Sequence, residues 1–138
     1  MMSKAKGKKM KLLKITDKIL NYQFIPVPNK LLHSKEYFKI SANAKLIYIL
    51  FIERLGLSKH NKFCNDKEEI YIVYCQKKLC EILNKTDKTI KKAIDELIEN
   101  KLIYKEKSGI GKVDKYYIYD IFQNGKQGKI TNDNRKFF

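Results

Sequence analysis

Residues 76–119 read QKKLCEILNKTDKTIKKAIDELIENKLIYKEKSGIGKVDKYYIY, and this stretch decides the fold. Leu79, Ile82 and Leu83 share one face of a first short helix, and Ile90, Ile94, Leu97 and Ile98 recur at i, i+4, i+7 and i+8 in a second. The link of Asn84, Lys85 and Thr86 is short and polar. Thr86 can cap the second helix by accepting backbone N–H bonds, and Asp87 is favoured beside the positive end of the helix dipole. Two such helices meet at a sharp corner. Two β-prone runs follow at once, residues 102–104 and 116–119, joined through Ser108, Gly109, Ile110 and Gly111, where the glycines permit a tight turn. Two helices followed by a hairpin are the pieces of a winged helix-turn-helix. The expected class is α+β, with a small antiparallel sheet.

The charges on the second helix point to a partner. Opposite its isoleucines lie Lys88, Lys92, Asp95 and Glu99, flanked by Lys91 and Thr89. Lysines in a first turn oppose the helix dipole, at a cost of a few tenths of a kcal/mol each. An N-terminal half lying in a DNA major groove, between phosphates, gives that order a reason, with Asp95 and Glu99 pointing back out. A merely solvated charged face is the plain alternative. Lys105, Lys107, Lys112 and Lys115 ring the hairpin tip, where a wing reaches the DNA backbone or minor groove; they read as phosphate-positioning groups rather than base readers. Lysines on edge strands also deter aggregation, which leaves a second explanation open. The contacting set expected from the helices is Lys77, Lys85, Thr86, Lys88, Thr89, Lys91 and Lys92.

The whole chain agrees in sign. Its 138 residues suit one domain, and Lys+Arg 30 against Asp+Glu 15 gives +15, which favours a polyanion: nucleic acid before an anionic membrane surface. A/T-rich coding would inflate lysine, but it would enrich glutamate as well. Only Arg54 and Arg135 are arginines, so bidentate reading of guanine is scarce and contacts lean on Lys, Thr, Asn and backbone. Cys64, Cys75 and Cys80 are odd in number and lack CxxC spacing, which speaks against a disulfide framework or zinc site. His33 and His60 stand apart, with no HxH or HxxxH pairing, and no GxxxxGK[ST] phosphate loop occurs. The nine tyrosines suggest a strand-nicking nucleophile, but that chemistry wants a clustered metal site. The expectation is a binding module, with no enzyme activity, metal or cofactor. With no long apolar run and no signal pattern, the expected location is cytoplasmic, away from any membrane.

Residues 1–20 carry seven lysines against Asp17 and read as a basic flexible arm. Residues 21–122 read as the domain. Phe24 and Ile25 open an apolar stretch whose Pro26 and Pro28 allow an edge strand or an extended segment packed on a core. A short helical turn is expected over 29–32. Ser41 can cap a helix to about residue 57, with Ala44, Ile47, Tyr48, Phe51 and Leu55 on one stripe. Leu46, Ile49, Leu50 and Ile52 make it apolar nearly all round, so it needs a second cover: the 22–40 segment or another subunit. A homodimer using Phe24, Ile25, Ile49 and Leu50 is expected. Residues 58–69 read as an exposed loop, 70–74 as a buried strand pairing with the wing, and 123–138 as a tail or the start of a linker.

The stretch from FIPVP through SANAKLIYILFIERLGLS, a polar loop, EIYIVY and the helix-turn-helix with its wing, residues 24–119, resembles the N-terminal domain of the RepA_N plasmid replication initiators of low-GC Gram-positive bacteria. It departs from that pattern at Asn84 and Lys85, where glycine and a small apolar residue are common, and at Cys75, which stands where Ser or Thr would cap. The resemblance implies a winged-helix dimer that binds repeated double-stranded sites in a plasmid origin to initiate replication. It also implies a separate C-terminal domain that recruits host replication proteins. Without it, a transcription repressor fits the same fold, and a basic RNA-binding protein is a third reading, resting on Tyr116, Tyr117 and Tyr119.

Overall fold

A computed structural model of the chain describes residues 10–16, 24–107, 109 and 113–122. The basic arm expected over 1–20 lies only in part within these residues, and the tail expected from 123 lies outside them. So do Lys112 and most of the hairpin turn.

Helix α1 (Asn29–His33) leads through a 3-10 turn (Lys35–Tyr37) into α2 (Ala42–His60). Strand β1 (Tyr71–Ile72), helices α3 (Gln76–Leu83) and α4 (Asp87–Glu99), and strands β2 (Ile103–Glu106) and β3 (Lys115–Ile118) follow. Ser41 starts α2 as expected: its hydroxyl accepts from Ala44 N–H at 3.2 Å. Ala44, Ile47, Tyr48 and Phe51 are buried on one stripe, and Ile52 is buried beside them. That stripe meets α4 and β1, so α2 is the mast around which the other elements gather. The second cover of α2 comes in part from its own chain. Ile25 packs on the core, and residues 24–26 lie against Ile52, Glu53 and Gly56.

The three strands form one antiparallel sheet in the order β1-β3-β2, with Tyr71 opposite Tyr117 and Ile72 opposite Tyr116 on one side of β3, and Ile103 opposite Ile118 on the other. Alternation then sorts the side chains. Ile72, Ile103 and Tyr116 turn inward, where Tyr116 meets the Phe51 ring at 5.1 Å between centroids, and Tyr74 stacks on Phe51 at 5.7 Å. Truncating Phe51 to Ala would empty the junction of helix and sheet, at a cost of about 3–5 kcal/mol.

Three expectations need correction. The helix from Ser41 runs past 57 to His60, and Ser58 is buried, so the segment 58–69 is not a plain exposed loop. Its remainder is ordered around Asn65, whose side-chain oxygen accepts from Lys67 N–H and Glu69 N–H, both at 2.9 Å, while Cys64 bridges to Ile70. The strand expected over 70–74 pairs with the wing, yet only Tyr71 and Ile72 join the ladder. Ile82 is 46% exposed. Leu79 and Leu83 set the inward direction of α3, and the half-buried Cys80 shifts it away from Ile82 around the helix.

Candidate nucleic-acid interface

The corner between α3 and α4 depends on two local devices. Asn84 adopts the left-handed conformation (φ 55°) that lets the chain turn, a geometry Asn tolerates better than most residues. It thus fills the role of the glycine common at that place. Thr86 caps α4, its hydroxyl accepting from Thr89 N–H at 3.3 Å and meeting the Thr89 hydroxyl at 3.0 Å. Cys75, by contrast, precedes α3 with no side-chain capping bond. A third device spans the corner: Gln76 Nε2 donates to Asp87 Oδ1 at 2.8 Å, fastening the start of α3 to the start of α4. Cys80 Sγ also approaches that carboxylate at 3.9 Å, and desolvation, then the charge of Asp87, pushes its thiol pKa up.

With the corner fixed, Ile90, Ala93, Ile94 and Leu97 face the core and the opposite side of α4 faces solvent. Lys88, Lys91, Lys92, Asp95 and Glu99 are all exposed, and Thr89 is half-buried. On that face the lysines lie in the first two turns and Asp95 and Glu99 in the last two, while Asp87 sits at the very start of the helix. Lys88, Thr89 and Lys92 also border a niche of about 340 Å³ shared with Ser41 and Asn43 at the start of α2. Glu96 is half-buried at its edge, and its Oε1 accepts from both Ser41 N–H and Ser41 Oγ–H at 2.9 Å. Lys77 and Lys85 are exposed near the corner.

The wing lysines divide. Lys107 is exposed at the end of β2. Lys105 lies on the inward side of β2, opposite Tyr116, and its Nζ is 3.5 Å from Asp114 Oδ2. Lys115 is half-buried, with its Nζ 4.5 Å from the centre of the Tyr71 ring. The one described arginine is also occupied: Arg54 donates to the Val73 carbonyl at 3.2 Å and lies over the Tyr74 ring at 4.2 Å. Among the described residues no group of three or more His, Cys, Asp or Glu side chains could hold a metal ion, and no helix is long and apolar enough to cross a membrane.

Two amphipathic helices at a capped corner, followed by a three-stranded sheet carrying the hairpin, define a winged helix-turn-helix domain. The chain belongs to the family described as Replication initiator protein A (RepA) N-terminus, whose model matches residues 23–131. Solved structures with the same fold include an N-terminal domain of a DNA-binding protein, with TM-score 0.63 and 23% identity over 94% of this chain and 93% of that one. A Rep–DNA complex is similar at TM-score 0.63 and 23% identity, over 92% of each chain. An MDR initiator is similar at TM-score 0.61 and 23% identity, over 91% of this chain and 95% of that one. No curated protein matches the chain.

Proposed function

We propose that this domain binds double-stranded DNA sequence-specifically at repeated sites in a plasmid origin, as the first step of replication initiation. The observation that carries the reading is the exposed, lysine-bearing first half of α4, an arrangement that opposes the helix dipole and is favoured by an outside anion. Lys88 and Lys92 reach base edges in the major groove, Lys91 and Thr89 orient, and Lys77, Lys85 and Thr86 approach phosphates. On the wing, Lys107 and Lys112 act as clamps, while Lys105 and Lys115 must first leave Asp114 and Tyr71 to do so. Family membership supports an initiator over a repressor, and the similar Rep–DNA complex supports duplex DNA as partner. The RNA reading is weakened by the open sheet face, where Tyr104 and Tyr117 are bordered by Glu68, Glu69 and Glu106, which repel phosphate.

The domain acts as a homodimer across the outer face of α2. The exposed Leu46 and Phe24 and the half-buried Ile25, Ile49 and Leu50 support this. Recruitment of host replication proteins would fall to a separate C-terminal domain. Protection mapping on the cognate plasmid tests the function: discrete repeated footprints in the origin are expected, and uniform coating of any duplex would overturn sequence-specific binding. Sedimentation of wild type and Leu50→Asp tests the dimer, which is refuted if the wild type is monomeric at micromolar concentration both free and on tandem sites.

A further inference from the structure

The polar surface around α4 continues onto α2. Along one flank of α4, Lys88, Thr89 and Lys92 share the niche of about 340 Å³ with Asn43, in the first turn of α2. Asn43 is half-buried, and among the described residues its amide has no hydrogen-bond partner. Lys88 and Lys92 likewise have no ion pair there. An asparagine within a helical turn is less favourable than alanine, so an amide that bonds to nothing brings the fold no gain. The surroundings of that amide are cationic. No acid stands in the first turn of α2, and the carboxylate at the niche edge, Glu96, turns one oxygen to the N–H and the hydroxyl of Ser41, both at 2.9 Å. Ser41 is thereby fully engaged, which leaves the Asn43 amide as the free side-chain donor on the α2 side. An N–H donor beside two unpaired lysines suits an anionic oxygen.

The dimensions of DNA say which oxygen. A helix about 10–12 Å across fills a major groove about 12 Å wide, so a group standing beside the helix meets the sugar–phosphate backbone rather than base edges. Asn43 stands in that place, and the Glu96–Ser41 bonds, two residues away, hold it there against α4.

We propose that Asn43 is a positioning residue for DNA: its side-chain amide donates to one backbone phosphate seated in the niche between α2 and α4, and so sets the angle at which α4 lies in the groove. The inference rests on the reading of α4 as the helix that enters the major groove. The lysines draw the strand in by charge, and the amide fixes it through one directed bond that carries no sequence information. The test titrates the full chain, as wild type, Asn43→Ala and Asn43→Asp, against origin and scrambled duplexes. Asn43→Ala should weaken both about tenfold, as for a lost hydrogen bond to a charged group. Its salt slope should match that of wild type, because a neutral amide releases no counterions. Asn43→Asp should weaken binding further by repulsion while raising the unfolding midpoint, since an acid in the first turn suits the dipole of α2. Binding and stability then move in opposite directions, which a folding defect cannot imitate. Replacing origin phosphates one at a time by neutral methylphosphonate finds the partner: at one phosphate per site the loss should be about tenfold larger for wild type than for Asn43→Ala. Wild-type affinity in both variants overturns the proposal. So does a loss confined to the origin duplex, which makes Asn43 a base reader, and so do equal methylphosphonate losses for wild type and Asn43→Ala at every position. Wild type that binds no duplex overturns the DNA reading and this inference together, whereas wild type that binds no better than its variants overturns this inference alone.

Discussion

Glu96 and Ser41, 55 residues apart, hold the start of α2 against the last turn of α4: one carboxylate oxygen receives both the Ser41 N–H and the Ser41 hydroxyl at 2.9 Å. The same hydroxyl accepts from Ala44 N–H, so the cap of one helix and the placement of the other are a single arrangement. Glu96→Ala should cost about 1.5–3 kcal/mol, as for hydrogen bonds to a charged group, and Glu96→Gln less, because its carbonyl still accepts. Urea unfolding of the two variants measures the difference. Equal midpoints for wild type and Glu96→Ala would show the link to be idle.

The lysines should differ in kind as well as degree. Lys88→Ala or Lys92→Ala is expected to lose about 1–3 kcal/mol on the cognate site and to narrow the gap to random DNA, whereas Lys107→Ala should weaken both alike. Titrating each variant against cognate and scrambled duplexes at one salt concentration makes the comparison. If Lys107→Ala alone erased discrimination, reader and clamp would have to be exchanged.

Binding should also fall steeply with salt, since each phosphate met by a lysine releases condensed counterions, with a log–log slope of about −0.9 per phosphate. Affinity that stays level between low and moderate salt would remove lysine–phosphate contacts from the account.

Lys101 sits just past α4 with φ 59°, in the left-handed region, where an L side chain is strained by about 1–2 kcal/mol. Glycine relieves that strain but loses more chain entropy on folding, so Lys101→Gly should stabilise the domain by about 0.5–1 kcal/mol net. Thermal or urea unfolding reads this directly, and a lower midpoint would contradict it.

Arg54 is expected to matter for stability and not for DNA. Arg54→Ala removes the bond to the Val73 carbonyl and the stack on Tyr74, costing about 1.5–3 kcal/mol, and Arg54→Lys restores only part because the planar stack is lost. DNA affinity, measured well below the unfolding midpoint, should be unchanged.

What the sequence made legible was what is local. The caps at Ser41 and Thr86, the inward stripes of α2 and α4 and the exposed lysines of α4 each follow from residue type and a spacing of a few positions, and each is found in the structure. Ile82 went astray because Leu79, Cys80 and Leu83 leave the inward direction of an eight-residue helix poorly fixed by pattern alone. Glu96 with Ser41, Gln76 with Asp87 and Arg54 with Tyr74 join residues 11 to 55 positions apart and have no periodic signature. The division among the wing lysines was hidden for another reason. Whether Lys105 faces Asp114 depends on strand register, which becomes known only when Tyr116 is seen opposite it.

The strand order has a consequence for how the domain is made. Among the described strands β1 and β2 each pair only with β3, which is central in the sheet and the last of the three to leave the ribosome. Until residues 115–118 emerge, a nascent chain holds all the described helices but lacks the strand that joins β1 to β2, and Tyr116 has not yet arrived beside Phe51. Closure of the described sheet is therefore a late event, in which the strand that completes the wing also brings Tyr116 onto Phe51, so a chain cut short before Lys115 loses core packing together with its wing.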